Sequence, residues 1–422
     1  MKSSFFRAKP FVLLLLCLLF LALMPPLIAP PAYAALPLMQ RPVPGECVEG
    51  TLPGGALSLV CVPSRGWNGD LVVWAHGYVA FNEPLDFYHL QAGDLYIPDL
   101  MQSLGYAFAT TSYRTNGLAI LPGTEDIQQL VAAFPAVVGQ PPDRVFLTGA
   151  SEGGIISALL AEQSPNLFDG VLATCGPIGD FQQQLNYYGD FRVLFDYFFP
   201  GILPGPVTAI PQELIDGWDS VYVPQIRAAL AADPAMAVEL LKVAEAPYQL
   251  RDSSTIENTT LSLLWYNVFA TNDALSKLGG NPYDNTSRSY QGSSDDIALN
   301  LGVQRYRADP EALAAVESYN TSGQVTLPLV TLHTTGDELI PMWHERLYRQ
   351  KADVSGEGQL TQIPIHRYGH CNFTEVEALA SFFLLVFQAT RDMPSLEYLP
   401  ATVDVAAVQG QLERMGVTRG FR

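Results

Sequence analysis

The chain has 422 residues, 48% of them hydrophobic and only 15% charged, a composition that excludes disorder and suits a packed globular protein. Its 42 acidic residues outnumber 23 basic ones. That balance repels phosphate backbones and anionic lipid, which excludes nucleic-acid binding and electrostatic docking to membranes.

The first segment has the layout of a secretory signal. Lys2, Arg7 and Lys9 precede an apolar run over 11–24, and Ala32-Tyr33-Ala34 supplies a small-x-small cleavage site. An uncleaved membrane anchor is the competing reading. The run is short for a span and ends in Pro25, Pro26, Pro30 and Pro31, which favours cleavage after Ala34 and no stable anchor. Cys17 leaves with the signal, and four cysteines remain: Cys47, Cys61, Cys175 and Cys371. An even number in an oxidising compartment predicts two disulfides, and their spacing suits no metal site.

An irregular lead-in over 35–45 is followed by a hairpin with Pro53-Gly54-Gly55 as its turn. Cys47 and Cys61 each stand seven residues from Gly54, opposite one another and within disulfide reach. Two buried free thiols are the alternative. Unbroken apolar runs at 71–75, 107–110, 144–148, 170–174, 327–332 and 360–365 then alternate with helical stretches, clearest at 126–137 and 153–161. Such runs suit parallel strands covered on both faces, so the expected architecture is α/β with a doubly wound, mostly parallel sheet. Pro364 would interrupt a ladder, which places its strand at or near an edge. Between 179 and 324 strands are scarce, helices are expected at 221–232 and 235–243, and 285–296 is a polar loop. The expected organisation is therefore a signal (1–34), a sheet core (35–178), a helical cap insertion (179–324) and a second core part with a C-terminal extension (325–422).

The run at 144–148 leads into Gly149-Ala150-Ser151-Glu152-Gly153, a G-x-S-x-G between a strand and a helix. The motif alone is weak; its strand-to-helix context gives it weight, because a tight turn there lifts the serine hydroxyl to the positive end of the helix. Here the sequence resembles the α/β-hydrolase family, over roughly 46–178 and 325–390. The resemblance implies a triad in the order serine, acid, histidine. Asp337 in Thr335-Gly336-Asp337-Glu338-Leu339-Ile340-Pro341 matches the acid, with Glu338 the neighbouring alternative. His370 in Tyr368-Gly369-His370-Cys371 matches the base ahead of His366. His76-Gly77-Tyr78 resembles the family's oxyanion turn, which gives the Tyr78 and Glu152 backbone N–H groups that role and leaves His76 structural. His89, His333 and His344 take the structural reading.

Cys371 directly after His370 is similar to tannase-like feruloyl esterases, but the position before the serine, a Cys in those enzymes, is Ala150. With Cys47 and Cys61 accounting for each other, Cys175 is the remaining partner for Cys371. The resemblance implies a secreted serine hydrolase acting on a small or polymeric carboxylic ester, with no metal or organic cofactor. A serine peptidase of the same fold is the alternative, and a non-catalytic binding module is a third reading. The segment 186–200 holds seven aromatic residues in fifteen. Core and pocket wall are both open for them; Tyr187, Phe191 and Phe195 are the expected wall, which implies a neutral ester with an apolar or aromatic part.

Overall fold

The computed structural model describes residues 45–356 and 358–417; the expected signal segment lies outside them. Eight strands form the main sheet: β1 (Cys47–Thr51), β2 (Leu57–Cys61), β3 (Asp70–Ala75), β4 (Ala107–Thr111), β5 (Arg144–Ala150), β6 (Gly170–Thr174), β7 (Leu329–Gly336) and β8 (Leu360–Tyr368). Their order across the sheet is β1-β2-β4-β3-β5-β6-β7-β8. β2 runs antiparallel to both of its neighbours, and all the other pairings are parallel. Cys47 faces Cys61 in the β1–β2 register, and the two are bonded. β8 pairs with β7 alone, so its inner Pro364 interrupts no second ladder.

The central strands carry apolar side chains on both faces because both faces are covered. Val72, Phe108, Phe146, Leu172 and Val330 pack against α1 (Ile97–Ser103) and against Leu379, Phe382 and Phe383 of the helix Glu375–Thr390. Helices α2 (Ile120–Val138) and α3 (Glu152–Gln163) pack against β3, β4, β5 and β6, and Thr331 of β7 binds Glu345 of the helix Trp343–Ser355. The later start of β7, Leu329 instead of 327, and the extension of β8 to Tyr368 are the main departures from the expected strands.

No strand of the main sheet lies between β6 and β7. That stretch is helical: α4 (Phe181–Phe198), α5 (Val223–Ala232), α6 (Pro234–Val243) and the 25-residue α7 (Ser254–Leu278) lead it. Asp180 and Asp233 cap α4 and α6 by accepting the Gln183 and Met236 N–H groups. These helices bury a hydrophobic cluster of their own, which also takes in Leu339 and Ile340 from the loop after β7. Helices α8 (Trp343–Ser355), α9 (Glu375–Thr390) and α10 (Val405–Arg414) complete the sheet core, the last packing Val408 and Leu412 into it; Thr374 and Glu377 form a capping box at the start of α9.

Candidate active site

Ser151 stands in the turn from β5 into α3 with φ of 58° and ψ of −118°, a left-handed conformation that a non-glycine residue adopts only when its surroundings impose it. The surroundings do so here. A Cβ at Gly149 would overlap the Gly153 carbonyl, and one at Gly153 would overlap the Ala75 carbonyl of β3. The Ser151 N–H is held by Thr174 O of β6 at 2.9 Å. The side chain is thereby thrust above the ends of the parallel strands.

His370 follows β8 by two residues, and its Nε2 lies 2.9 Å from Ser151 Oγ. Its Nδ1 lies 2.8 and 3.0 Å from the two carboxylate oxygens of Asp337, in the loop after β7. Asp337, not Glu338, meets the imidazole. The Asp337 carboxylate is fully buried and accepts the Leu339 and Ile340 N–H groups at 3.0 and 2.8 Å, which fixes its orientation. A serine on a strained strand–helix turn after β5, an acid after β7 and a histidine after β8, on this strand order, decide the architecture. The fold is that of the α/β-hydrolases. The helical stretch between β6 and β7, the expected insertion, reaches the site at several points.

No family model and no curated protein matches this chain. Among solved structures, an acylaminoacyl peptidase complexed with Z-Gly-Gly-Phe-chloromethyl ketone is 12% identical with a TM-score of 0.45; the match covers 86% of this chain but 43% of that one. This chain thus spans under half the length of that peptidase. Feruloyl esterase B from Aspergillus oryzae is 14% identical, with 78% and 74% of the two chains covered and a TM-score of 0.41. Candida antarctica lipase A in its closed state is 13% identical, with 93% and 96% covered and a TM-score of 0.46. Likeness this loose says nothing about substrate.

Cys371 is bonded to Cys175, the residue after β6, with the Cα atoms 5.4 Å apart. Both cysteines sit at positive φ, 44° and 48°, so this bond and Ser151 concentrate backbone strain at one spot. Among the described residues Cys175, His370 and Cys371 are a group close enough to share a metal ion, but the two sulfurs are tied to each other.

Tyr78 lines the same chamber as Ser151, and Glu152 opens α3. Among the described residues neither backbone N–H is taken by an acceptor. The Glu152 side chain turns inward, accepts the Ala119 N–H at 2.8 Å, and is pushed up to about 8 by burial. His76 is buried against Tyr113, with ring centroids 4.0 Å apart, and burial drives it down to about 4. His344 bridges the Gly179 N–H and Gln184 Oε1, while His366 is exposed on β8. His333 is more than a core residue. It is buried between Asp337 and Glu345, 3.7 and 3.6 Å away, and its Nε2 lies 2.7 Å from Ile340 O. Burial opposes its charge, but the two carboxylates outweigh burial and raise its pKa.

Tyr187, Phe191 and Phe195 do not line the chamber that contains Ser151. All three are buried in the core of the insertion, because α4 turns that face toward α7 and α6. Tyr187 still serves the site: its hydroxyl donates to Glu338 O at 2.9 Å, beside Asp337, while Gln184 Nε2 donates to Leu339 O at 2.9 Å. The insertion residue that does face the chamber is Tyr266 of α7. It stacks on Tyr188 with centroids 5.2 Å apart; burial raises its phenol, and contact with the Ser151 side chain acts the other way. Nothing in the sequence around Tyr266 marks it, and the helices expected in this stretch, 221–232 and 235–243, do not include α7.

Proposed function

We propose that this protein is an exported serine hydrolase that cleaves carboxylic esters through an acyl-enzyme on Ser151. The observation that carries the reading is the unbroken relay from Ser151 Oγ to His370 Nε2 to Asp337, opening into an apolar chamber. His370 takes the serine proton as Oγ attacks the carbonyl carbon and returns it to the leaving alcohol. Asp337 orients the ring and balances its charge while it holds that proton. The Tyr78 and Glu152 N–H groups receive the oxyanion; losing one such donor typically costs ~3–4 kcal/mol of transition-state stabilisation. Water then repeats the sequence on the acyl-enzyme, with His370 as base. Export is supported by the basic-then-apolar leader and by two disulfides, and no helix among the described residues is long and apolar enough to cross a membrane.

A fluorophosphonate probe tests the reading without knowledge of the substrate. The wild-type protein is expected to be labelled and the Ser151→Ala protein not. Ser151→Ala and His370→Ala are each expected to lose ~10⁶ in ester turnover while remaining folded, because serine and base act as one unit. A parallel panel of p-nitrophenyl esters and aminoacyl anilides separates esterase from peptidase. Labelling that persists in Ser151→Ala would end the proposal.

A further inference from the structure

Two spaces meet at His370 and differ in character. On the Ser151 side lies a chamber of about 780 Å³. Its walls are mostly apolar and run from the serine down to Val72, Leu100, Met101, Leu172, Leu379 and Phe382, each no more than 7% exposed. His370 and Cys371 also border a second, open groove of about 600 Å³, lined further by Asn258, Leu261, Ser262, Glu338, Tyr368 and Asn372.

Protein interiors close up around voids larger than a water molecule unless something holds them open. Two braces do so here. The Cys175–Cys371 bond fixes one rim, and the Asp94 N–H, in a short hairpin over Gln91–Tyr96, donates to Glu375 Oε1 at 3.1 Å across the other. At ~30 Å³ for each small group, as for a water molecule, the chamber holds on the order of 25 non-hydrogen atoms. An acetyl group would leave nearly all of it empty.

From this geometry, and resting on the hydrolase reading above, we propose that the substrate is a long-chain fatty acyl ester of an uncharged polar alcohol. The acyl chain fills the chamber, and the alcohol lies in the groove. Chemistry sets this orientation. The leaving alkoxide takes its proton from His370, and the water that later attacks the acyl-enzyme gives its proton to His370 from the same place. The groove is the more open and more polar of the two spaces, which suits alcohol exit and water entry, and the more enclosed, apolar chamber suits the acyl chain. In the first step the Ser151 Oγ–carbonyl bond forms and the carbonyl–alkoxy bond breaks. In the second, water's oxygen replaces Oγ, releasing the fatty acid. Glu338 lines the groove beside Asn258, Ser262 and Asn372, a carboxyl and neutral polar side chains that suit an uncharged alcohol better than an anionic one.

The test is a p-nitrophenyl ester series from acetate to hexadecanoate. The kcat/KM is expected to rise at least tenfold between acetate and dodecanoate. Leu100→Trp and Leu379→Trp, which put bulk into the chamber, are expected to cut the dodecanoate-to-acetate ratio at least tenfold. Should either variant fail to fold, Ser151→Ala protein and dodecanoate give a second readout: calorimetry is expected to show one chain bound per protein, with a negative heat-capacity change. Ser262→Leu is expected to raise KM at least fivefold more for monolauroylglycerol than for methyl dodecanoate. A flat or falling chain-length series from protein that still takes the fluorophosphonate label overturns the chamber assignment and leaves the hydrolase reading standing. Absent labelling overturns the hydrolase reading instead. Equal KM changes for the two dodecanoate esters overturn the placement of the alcohol.

Discussion

A carboxyl group buried directly after a nucleophile needs either a counter-ion or a proton. Glu152 is only 6% exposed, and Lys277, a cation that favours its charge, already binds Asp273 at 3.0 Å. Burial therefore prevails, and the acid holds its proton up to about pH 8. The folded protein binds this proton more tightly than the unfolded chain does. Its contribution to stability is complete below the ordinary carboxyl value near 4.5 and is lost progressively as the pH rises to about 8. Glu152→Gln keeps an acceptor for the Ala119 N–H but cannot ionise. Its unfolding free energy is expected to gain on the wild type between pH 5 and 8 by a few kcal/mol, since each tenfold difference in proton affinity is worth about 1.4 kcal/mol. Parallel thermal-unfolding curves for the two proteins across that range would show that the burial argument fails. A protonated Glu152 also keeps negative charge away from its own backbone N–H, where the proposed oxyanion would form.

Helix α4 shows what one element's pattern can and cannot reveal. Aromatic residues at helical spacing mark a buried face, and Phe191 and Phe195 are fully buried. The spacing does not say which partner buries that face, and here the partner is the rest of the insertion, not a ligand. Phe191→Ala and Phe195→Ala are therefore expected to lower stability by ~3–5 kcal/mol without changing acyl-chain preference, checked by denaturant titration beside the ester series. Tyr187→Phe removes only the hydroxyl that holds Glu338 O, at about 1 kcal/mol in stability. It is expected to lower kcat more than it raises KM, since the loop it steadies carries Asp337. The chamber was hidden from sequence for a related reason. Trp74, Leu100 and Leu379 each read as core, and only their meeting around unfilled space makes them a wall. Strands, elbow and triad positions were legible because each leaves a local trace: an unbroken apolar run, paired glycines, a glycine before His370. His333 and Tyr266 left none, because their relation to the site exists only after β7 and α7 are set in place.

Across the whole molecule the dominant constraint is the bond between Cys175 and Cys371, separated by 196 residues. Closing so long a loop restricts the unfolded chain strongly, with ~5 kcal/mol expected on the chain-entropy account. Cys175→Ser is expected to lower the melting temperature well beyond the effect of Cys47→Ser, whose loop spans 14 residues. A larger loss from Cys47→Ser would contradict that account. The same bond makes a ring of the chain. The insertion, Asp337, β7 and β8 all lie on that ring, while Ser151 lies on the N-terminal arm outside it. A single cut anywhere on the ring opens it without releasing anything. Trypsin acting at the exposed Arg251 should thus yield a nicked protein that migrates as one species without reductant. With reductant it should split in two, and a label on Ser151 should follow the N-terminal half while His370 departs with the other.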